Sequence, residues 1–245
     1  MIRLRLQYTK LGKIRFLSHR DIARVWERTI RRVGLPIAYS EGFSPRPRLH
    51  FGLALSVAHE SEAEYLDIDL REPVELGGLA EDLSSILPDG MDVVAVSEIP
   101  RSAESLQGEV DLVTWSFLLP DVTVGELSAR VAEWLARDTV VVSIIRKGKP
   151  TTADVRAVVE ELTVGPGTAD GAELVAVLST RPRSIRPAEL LASFDPPLSE
   201  GRVRRLAQTI LTDGVGRPPL PVPAVPSPTV PIPTSNPEPA VREAV

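Results

Sequence analysis

A strand, helix, strand, strand, helix, strand succession can be read twice along this 245-residue chain. It predicts an α+β fold of two tandem ferredoxin-like (βαββαβ) units with a disordered proline-rich C-terminal tail. Three observations carry that prediction. Period-two stretches alternate with stretches of helical period, the pattern restarts near residue 108, and 10 of the 23 prolines fall between Pro218 and Pro239. The expected units are residues 1–100, with a basic face, and residues 108–213; the tail is 217–245. The repeat is one of pattern only, without sequence identity between the halves.

In the first unit, Arg3-Leu4-Arg5-Leu6-Gln7-Tyr8 alternates as a half-buried strand does. Residues 19–33 predict a helix, because Ile22, Val25, Trp26, Thr29, Ile30 and Val33 recur at helical spacing. Ser18 and Asp21 have the spacing of a capping pair, and Gly34-Leu35-Pro36 supplies the stop. Strands are expected at 51–57, 64–70 and 91–97, with a helix at 75–87 that aligns Leu76, Leu79, Leu83 and Ile86. In the second unit, a strand at 110–119 precedes a helix at 124–136, opened by Thr123 with Glu126 three residues on. Its inner face would be Val124, Leu127, Val131, Trp134 and Leu135. Strands follow at 139–146 and 173–179, and Pro187 opens a short helix through Leu191. Residues 155–164 read as strand or short helix, and residues 202–211 as helix by propensity or strand by analogy with the first unit. Proline lacks the N–H that helices and sheet ladders need, so the tail should be extended, with a docking peptide for a proline-reading partner as the alternative.

Composition narrows the function classes. Hydrophobic residues make up 43% and charged residues 25%, which excludes global disorder. The absence of cysteine excludes disulfides, thiolate zinc sites, cysteine nucleophiles and a self-contained iron–sulfur cluster. The first residues alternate apolar with basic side chains and lack the apolar core of a signal peptide, and no run approaches the ~18 apolar residues of a membrane helix. A soluble cytoplasmic protein with no membrane partner is expected.

The net charge of −5 hides an asymmetry. Residues 1–60 hold 12 Lys+Arg and four Asp+Glu, whereas residues 61–145 hold four and 18. A basic end beside an acidic middle is an argument about partners rather than about fold. Within the basic end, Arg20, Arg24, Arg28 and Arg31 line the face of helix 19–33 opposite its apolar stripe. Like charges at this spacing repel mildly, so their accumulation points to acidic neighbours or to a polyanionic partner. The loop from Ser40 to Gly52 contains Pro45-Arg46-Pro47-Arg48, in which two prolines hold two arginines at a nearly fixed separation. Forked guanidinium donors suit phosphate oxygens. The alternative is a structural crossing loop whose arginines pair with the acidic middle. Phe43, between Gly42 and Ser44, has no periodic partner and could stack on a base or plug an apolar gap.

His19 is the one residue with an enzymatic reading. Metal-independent RNA cleavage needs a proton-transfer group near neutral pKa and cations for the developing phosphorane charge, and Lys10, Lys13 and Tyr39 are near His19 in sequence. The alternative is a histidine that merely occupies the first helical turn. Other motifs fail. His19-Arg20-Asp21 lacks the asparagine of a kinase loop, Gly165-x-Gly167 lacks a third glycine and suits a hairpin turn, and Gly148-Lys149 has no phosphate-loop glycine upstream. With three scattered histidines, no metal site and no cofactor are expected.

Arg15-Phe16-Leu17-Ser18-His19-Arg20-Asp21, the Ser40–Gly52 loop and Glu64-Tyr65-Leu66-Asp67 together resemble the bacterial radical-SAM-associated domain family, long labelled a domain of unknown function, in its stand-alone form. The similarity covers residues 1 to about 213, and Ser40-Glu41-Gly42-Phe43-Ser44-Pro45-Arg46-Pro47 is its most specific part. The resemblance implies an accessory role to radical SAM chemistry and supplies no catalytic residues. This chain has no Cys-x-x-x-Cys-x-x-Cys, so that chemistry would reside on another polypeptide. More distantly, tandem ferredoxin-like units with a helix-proximal histidine are similar to CRISPR repeat-cleaving endoribonucleases, a likeness of fold alone. The leading expectation is a non-catalytic accessory protein of a separate radical SAM or RNA-processing enzyme. It would bind RNA through Arg20, Arg24, Arg28, Arg31, Phe43, Arg46 and Arg48. An endoribonuclease using His19 and a protein–protein adaptor are the alternatives.

Overall fold

Alternating apolar residues and two well-capped helices build a mixed α+β fold, in which a large, mostly antiparallel sheet carries few helices. The structure is a computed structural model and describes residues 2–146 and 148–220. Its first half runs β1 (Ile2–Lys10), a 3₁₀ turn (Gly12–Phe16), α1 (His19–Val33), β2 (Leu49–Phe51), β3 (Glu60–Leu70), α2 (Leu79–Ser84) and β4 (Val93–Ile99). A short α3 (Leu106–Glu109) leads to β5 (Leu112–Leu119), α4 (Val124–Leu135), β6 (Val141–Arg146), β7 (Lys149–Asp154) and a second 3₁₀ turn (Arg156–Val158). The chain ends in β8 (Val159–Val164), β9 (Ala172–Ser179), α5 (Pro187–Leu191), β10 (Arg202–Thr212) and β11 (Val215–Arg217). The strand order is β4-β1-β3-β10-β5-β9-β8, with β2 beside β3 and β11 beside β10, while β6 and β7 form a separate hairpin. No helix among the described residues is long and apolar enough to cross a membrane.

The local signals work as physics requires. Asp21 N–H donates to Ser18 Oγ while Ser18 N–H donates to the Asp21 carboxylate, a reciprocal cap worth about 1 kcal/mol, and Gly34 closes α1 at φ 80°. Thr123 and Glu126 repeat the device at α4. Leu4, Leu6 and Tyr8 of β1 meet Ile22, Trp26 and Ile30 of α1 in one core; Phe117, Leu174, Leu127 and Trp134 lie in the other. Val124 and Leu135, expected on the inner face of α4, are partly exposed at its ends.

Several expected elements are corrected. The strand expected at 51–57 ends at Phe51: Gly52 N–H makes the last bond to β3, at Tyr65 O, 3.0 Å. Beyond it Leu53 and Leu55 turn to pack on the core of the second half. The helix expected at 75–87 shrinks to α2, because Gly77 and Gly78 (φ 78°) precede it and only Leu79 and Leu83 are buried within it. The segment 139–146 does not join the main sheet; β6 pairs with β7, and β8 takes the edge beside β9. Residues 202–211 form a strand, since β10 inserts between β3 and β5. Leu220, inside the segment expected as tail from 217, is buried against Ala63, Tyr65, Ala95 and Leu106. The rest of the predicted tail, 221–245, lies outside the described residues.

Charge pairing joins the strands. Across β1 and β3, Arg3 bonds Asp69 at 2.7 Å and Arg5 bonds Asp67 at 2.8 and 3.0 Å, each to its registered neighbour, and Arg5 also reaches Glu109 at 2.7 Å. The halves of the sheet meet at β3 and β10, whose parallel pairing spans only Arg204↔Glu60 and Arg205↔Ser61. Arg204 holds Glu60 and Glu62 at 2.8 Å each. Arg205, only 2% exposed, donates to Glu64 Oε1 at 2.8 Å and to the carbonyls of Leu53 and Ala54, with its guanidinium 4.8 Å from the centre of the Trp115 ring. Gln208 Nε2 fills the remaining gap by donating to Ala63 O at 2.6 Å.

Removing one partner of such a pair leaves a buried charge uncompensated. Glu64→Ala should therefore cost about 3–5 kcal/mol, whereas Glu64→Gln combined with Arg205→Met should cost far less. Urea unfolding of the two variants checks this; equal losses would show that charge pairing does not hold the seam. A second expectation concerns acid. Burial alone would push the Glu60 and Asp69 carboxyls up, but Arg204 and Gly12 N–H on Glu60, and Arg3 on Asp69, hold both below the usual carboxylate range. Their stabilisation is complete above the ordinary values of about 4 and is lost as pH falls through the lower folded values. Urea midpoints should fall over that range, and Asp69→Asn should flatten the fall; an unaltered profile in the variant removes Asp69 from this account.

Candidate nucleic-acid interface

Because α1 buries Ile22, Trp26, Thr29 and Ile30, its opposite side must carry what lies between them. Arg20, Arg24, Arg28 and Arg31 are all exposed there. Arg24 stands 3.5 Å from Asp21 Oδ1, an exposed contact that water screens, and Arg28 Nε donates to Arg24 O at 3.3 Å. Among the described residues Arg20 and Arg31 have no ion-pair partner. Arg24, Arg28 and Arg31 border an open groove along the helix with Leu17, Val25 and the carboxylates of Asp21 and Glu27.

The loop after α1 is closed at its base. Tyr39 bridges Pro47, Ser40 N–H donates to Arg46 O at 2.9 Å, and Arg46 N–H returns to Ser40 Oγ at 3.0 Å. Gly42 takes φ 116° at the tip, and Phe43 beside it is fully exposed, so it plugs no gap in this chain. Arg46 is exposed and Arg48 half-buried, and among the described residues neither forms an ion pair. The acidic middle instead pairs with the arginines of β1, and Arg204 and Arg205 take the acids at the start of β3. Four of the cations counted in residues 1–60 are thereby committed: Arg3 and Arg5 to carboxylates, Lys10 to Arg15 O and Leu17 O at 3.2 Å each, and Arg15 to Gly12 O with Glu60 at 3.6 Å.

His19 meets the far end of the same segment, at Phe51. It is the exposed first residue of α1, its ring edge-on to Phe51 at 4.8 Å, and the helix length of about 22 Å separates it from the end where the loop begins. It borders a small recess with Tyr8, Lys10 and Glu64. Burial holds the Lys10 ammonium below the usual lysine range, with Arg205 adding to the effect. The structure thus leaves Arg20, Arg24, Arg28 and Arg31 exposed along α1, with His19 beside Arg20 at its start. Sequence reasoning missed Glu64, Trp115 and Arg205, whose meeting requires the contact between the halves. The only available signal was Arg204-Arg205 inside a segment of ambiguous period.

The model of a bacterial family described as uncharacterized protein conserved in bacteria (DUF2344) matches residues 3–187. The chain belongs to that family. No curated protein matches it.

Replacing Arg46 and Arg48 together by alanine should leave the melting temperature nearly unchanged, because neither is fully buried or ion-paired among the described residues and such charges contribute about 0–1 kcal/mol each. Gly42→Val meets no atom within 4 Å, so its cost is that of the backbone alone, about 1–3 kcal/mol. Calorimetric melting of both variants checks this. A loss of several degrees in the arginine pair would make those side chains structural.

Proposed function

We propose that this protein is a non-catalytic accessory protein of a separate radical SAM or RNA-processing enzyme, and that it binds RNA through the arginines of its first half. The observation that carries the reading is the division among the cations. Arg3, Arg5, Lys10 and Arg15 are spent on carboxylates or carbonyls within the chain, while Arg20, Arg24, Arg28, Arg31 and Arg46 face solvent. A row of exposed arginines offers forked donors to successive phosphates, and an extruded Phe43 offers a face to a base. The association with radical SAM chemistry rests on the resemblance carried by Arg15–Asp21, the Ser40–Gly52 loop and Glu64–Asp67. The two halves are read as tandem ferredoxin-like units, residues 1–100 and 108–213. Support for that comes from strand order: with the separate β6–β7 hairpin set aside, β10-β5-β9-β8 in the second half has the same last, first, third, second sequence as β4-β1-β3-β2 in the first.

An endoribonuclease reading draws on His19 beside Tyr8 and Lys10. Lys10, buried and held by two carbonyls, is poorly placed to reach a phosphate, which favours the binder. Incubation with labelled structured RNA separates the two: retention without cleavage is expected, and cleavage abolished by His19→Ala would establish the nuclease instead.

Each neutralised phosphate of a single strand contributes about −0.7 to the slope of log affinity against log salt, so four to six contacts give roughly −3 to −4. Arg24→Ala with Arg28→Ala should flatten that slope by about 1.4. Fluorescence anisotropy at several salt concentrations measures it. A slope near zero, or one untouched by the double variant, would replace RNA with an acidic protein surface as the partner of this face.

A further inference from the structure

We propose that the cavity where the two halves meet is a binding site for a small organic anion with an apolar body. The inference concerns a different part of the molecule from the arginine face of α1 and does not depend on it. The cavity measures about 540 Å³, inside the roughly 300–1,000 Å³ usual for small-molecule sites. The Leu53–Ser56 loop forms one wall, and β5, the end of β9 and the approach to α5 form the others. Trp115, Leu178 and Ile185 give that lining an apolar part, beside the polar Ser56, Gln107, Ser179 and Thr180.

The charges are one-sided. Arg205 and Arg186 line the cavity and, in a chain with 33 acidic residues, no carboxylate does so among the described residues. Arg205 is 2% exposed and spends one Nη1 donor on Glu64, one on Leu53 O and one Nη2 donor on Ala54 O. Its Nε–H is buried without a partner and closed off from the cavity, so the donor left for a ligand is the second Nη2 hydrogen. Lys10 is also buried and shares the neighbouring recess with Glu64, which leaves this cluster with two cations to one carboxylate. An unspent buried donor in a locally cationic cluster favours an acceptor of negative charge. Arg186 is exposed and, among the described residues, has no ion pair, so it can meet the same anion from the rim. Trp115, Leu178 and Ile185 then cover the apolar part of the ligand.

The test is calorimetric titration of the full chain with indole-3-carboxylate, benzoate and adenosine 5′-monophosphate, against indole and inorganic phosphate. At least one organic anion should bind and raise the melting temperature, with indole and inorganic phosphate at least about tenfold weaker. Preference among the three shows whether carboxylate or phosphate is the recognised group. Arg186→Ala, at an exposed position, should weaken binding about tenfold, and Gln107→Trp, exposed at the rim, should abolish it by filling the mouth. The Arg24/Arg28 double variant should bind as the parent does, so failure of the RNA reading and failure of this one are told apart. No binding by any of the three anions at several millimolar, equal binding of indole, or full binding by Gln107→Trp would overturn the assignment.

Discussion

Arg205 is the residue through which the two halves of this protein become one sheet. Backbone pairing between β3 and β10 covers only two residue pairs, too little to hold two cores together. The guanidinium supplies what the backbone does not: it reaches Glu64 on β3, accepts the Trp115 ring of β5 as a lid, and caps the carbonyls of Leu53 and Ala54 where the chain leaves β2. A buried arginine is stable only when its charge is paired and most of its donors are met. That demand fixes the path of the 52–58 segment, which in turn brings Leu53 and Leu55 onto the second core and leaves the cavity beside them.

The edge of β3 shows the same economy. β2 occupies it at residues 66–68, β10 at 60 and 61, and a side-chain amide from Gln208 serves the carbonyl of Ala63 between them. β2 is short because β10 needs the rest of that edge. Unpaired strand edges are a liability, and here a single strand is shared between two partners so that little of it is left open.

Charge follows two fates in this chain, and the difference lies in secondary structure. On β1, alternation sends Arg3 and Arg5 to the face where Asp69 and Asp67 stand in register, so cation and anion neutralise each other across the ladder. On α1, the helical period gathers arginines on the side away from the core, where Asp21 and Glu27 are too few to balance them. The same residue type is therefore a structural tie in the strand and an open donor on the helix. The basic character counted over residues 1–60 belongs, at the surface, mainly to α1 and the loop that follows it.

What the sequence determined by itself is the set of elements whose signals are local. The Ser18–Asp21 cap, the Trp26 stripe and Gly34 bound α1 at His19–Val33, and Thr123 with Glu126 opened α4, because a helix closes its hydrogen bonds within itself. The exposed positions of Arg20, Arg24, Arg28, Arg31 and Arg46 were legible for the same reason, since period alone places them opposite a buried stripe or in a loop. Only the tertiary structure decided that residues 202–212 are a strand, that β6 leaves the main sheet, that the 52–58 segment is a crossing loop, and that Leu220 still belongs to the core. It alone brought Arg205, Glu64 and Trp115 together. Glu64 and Arg205 stand 141 positions apart, and neither a period of two nor one of 3.6 carries information over that distance.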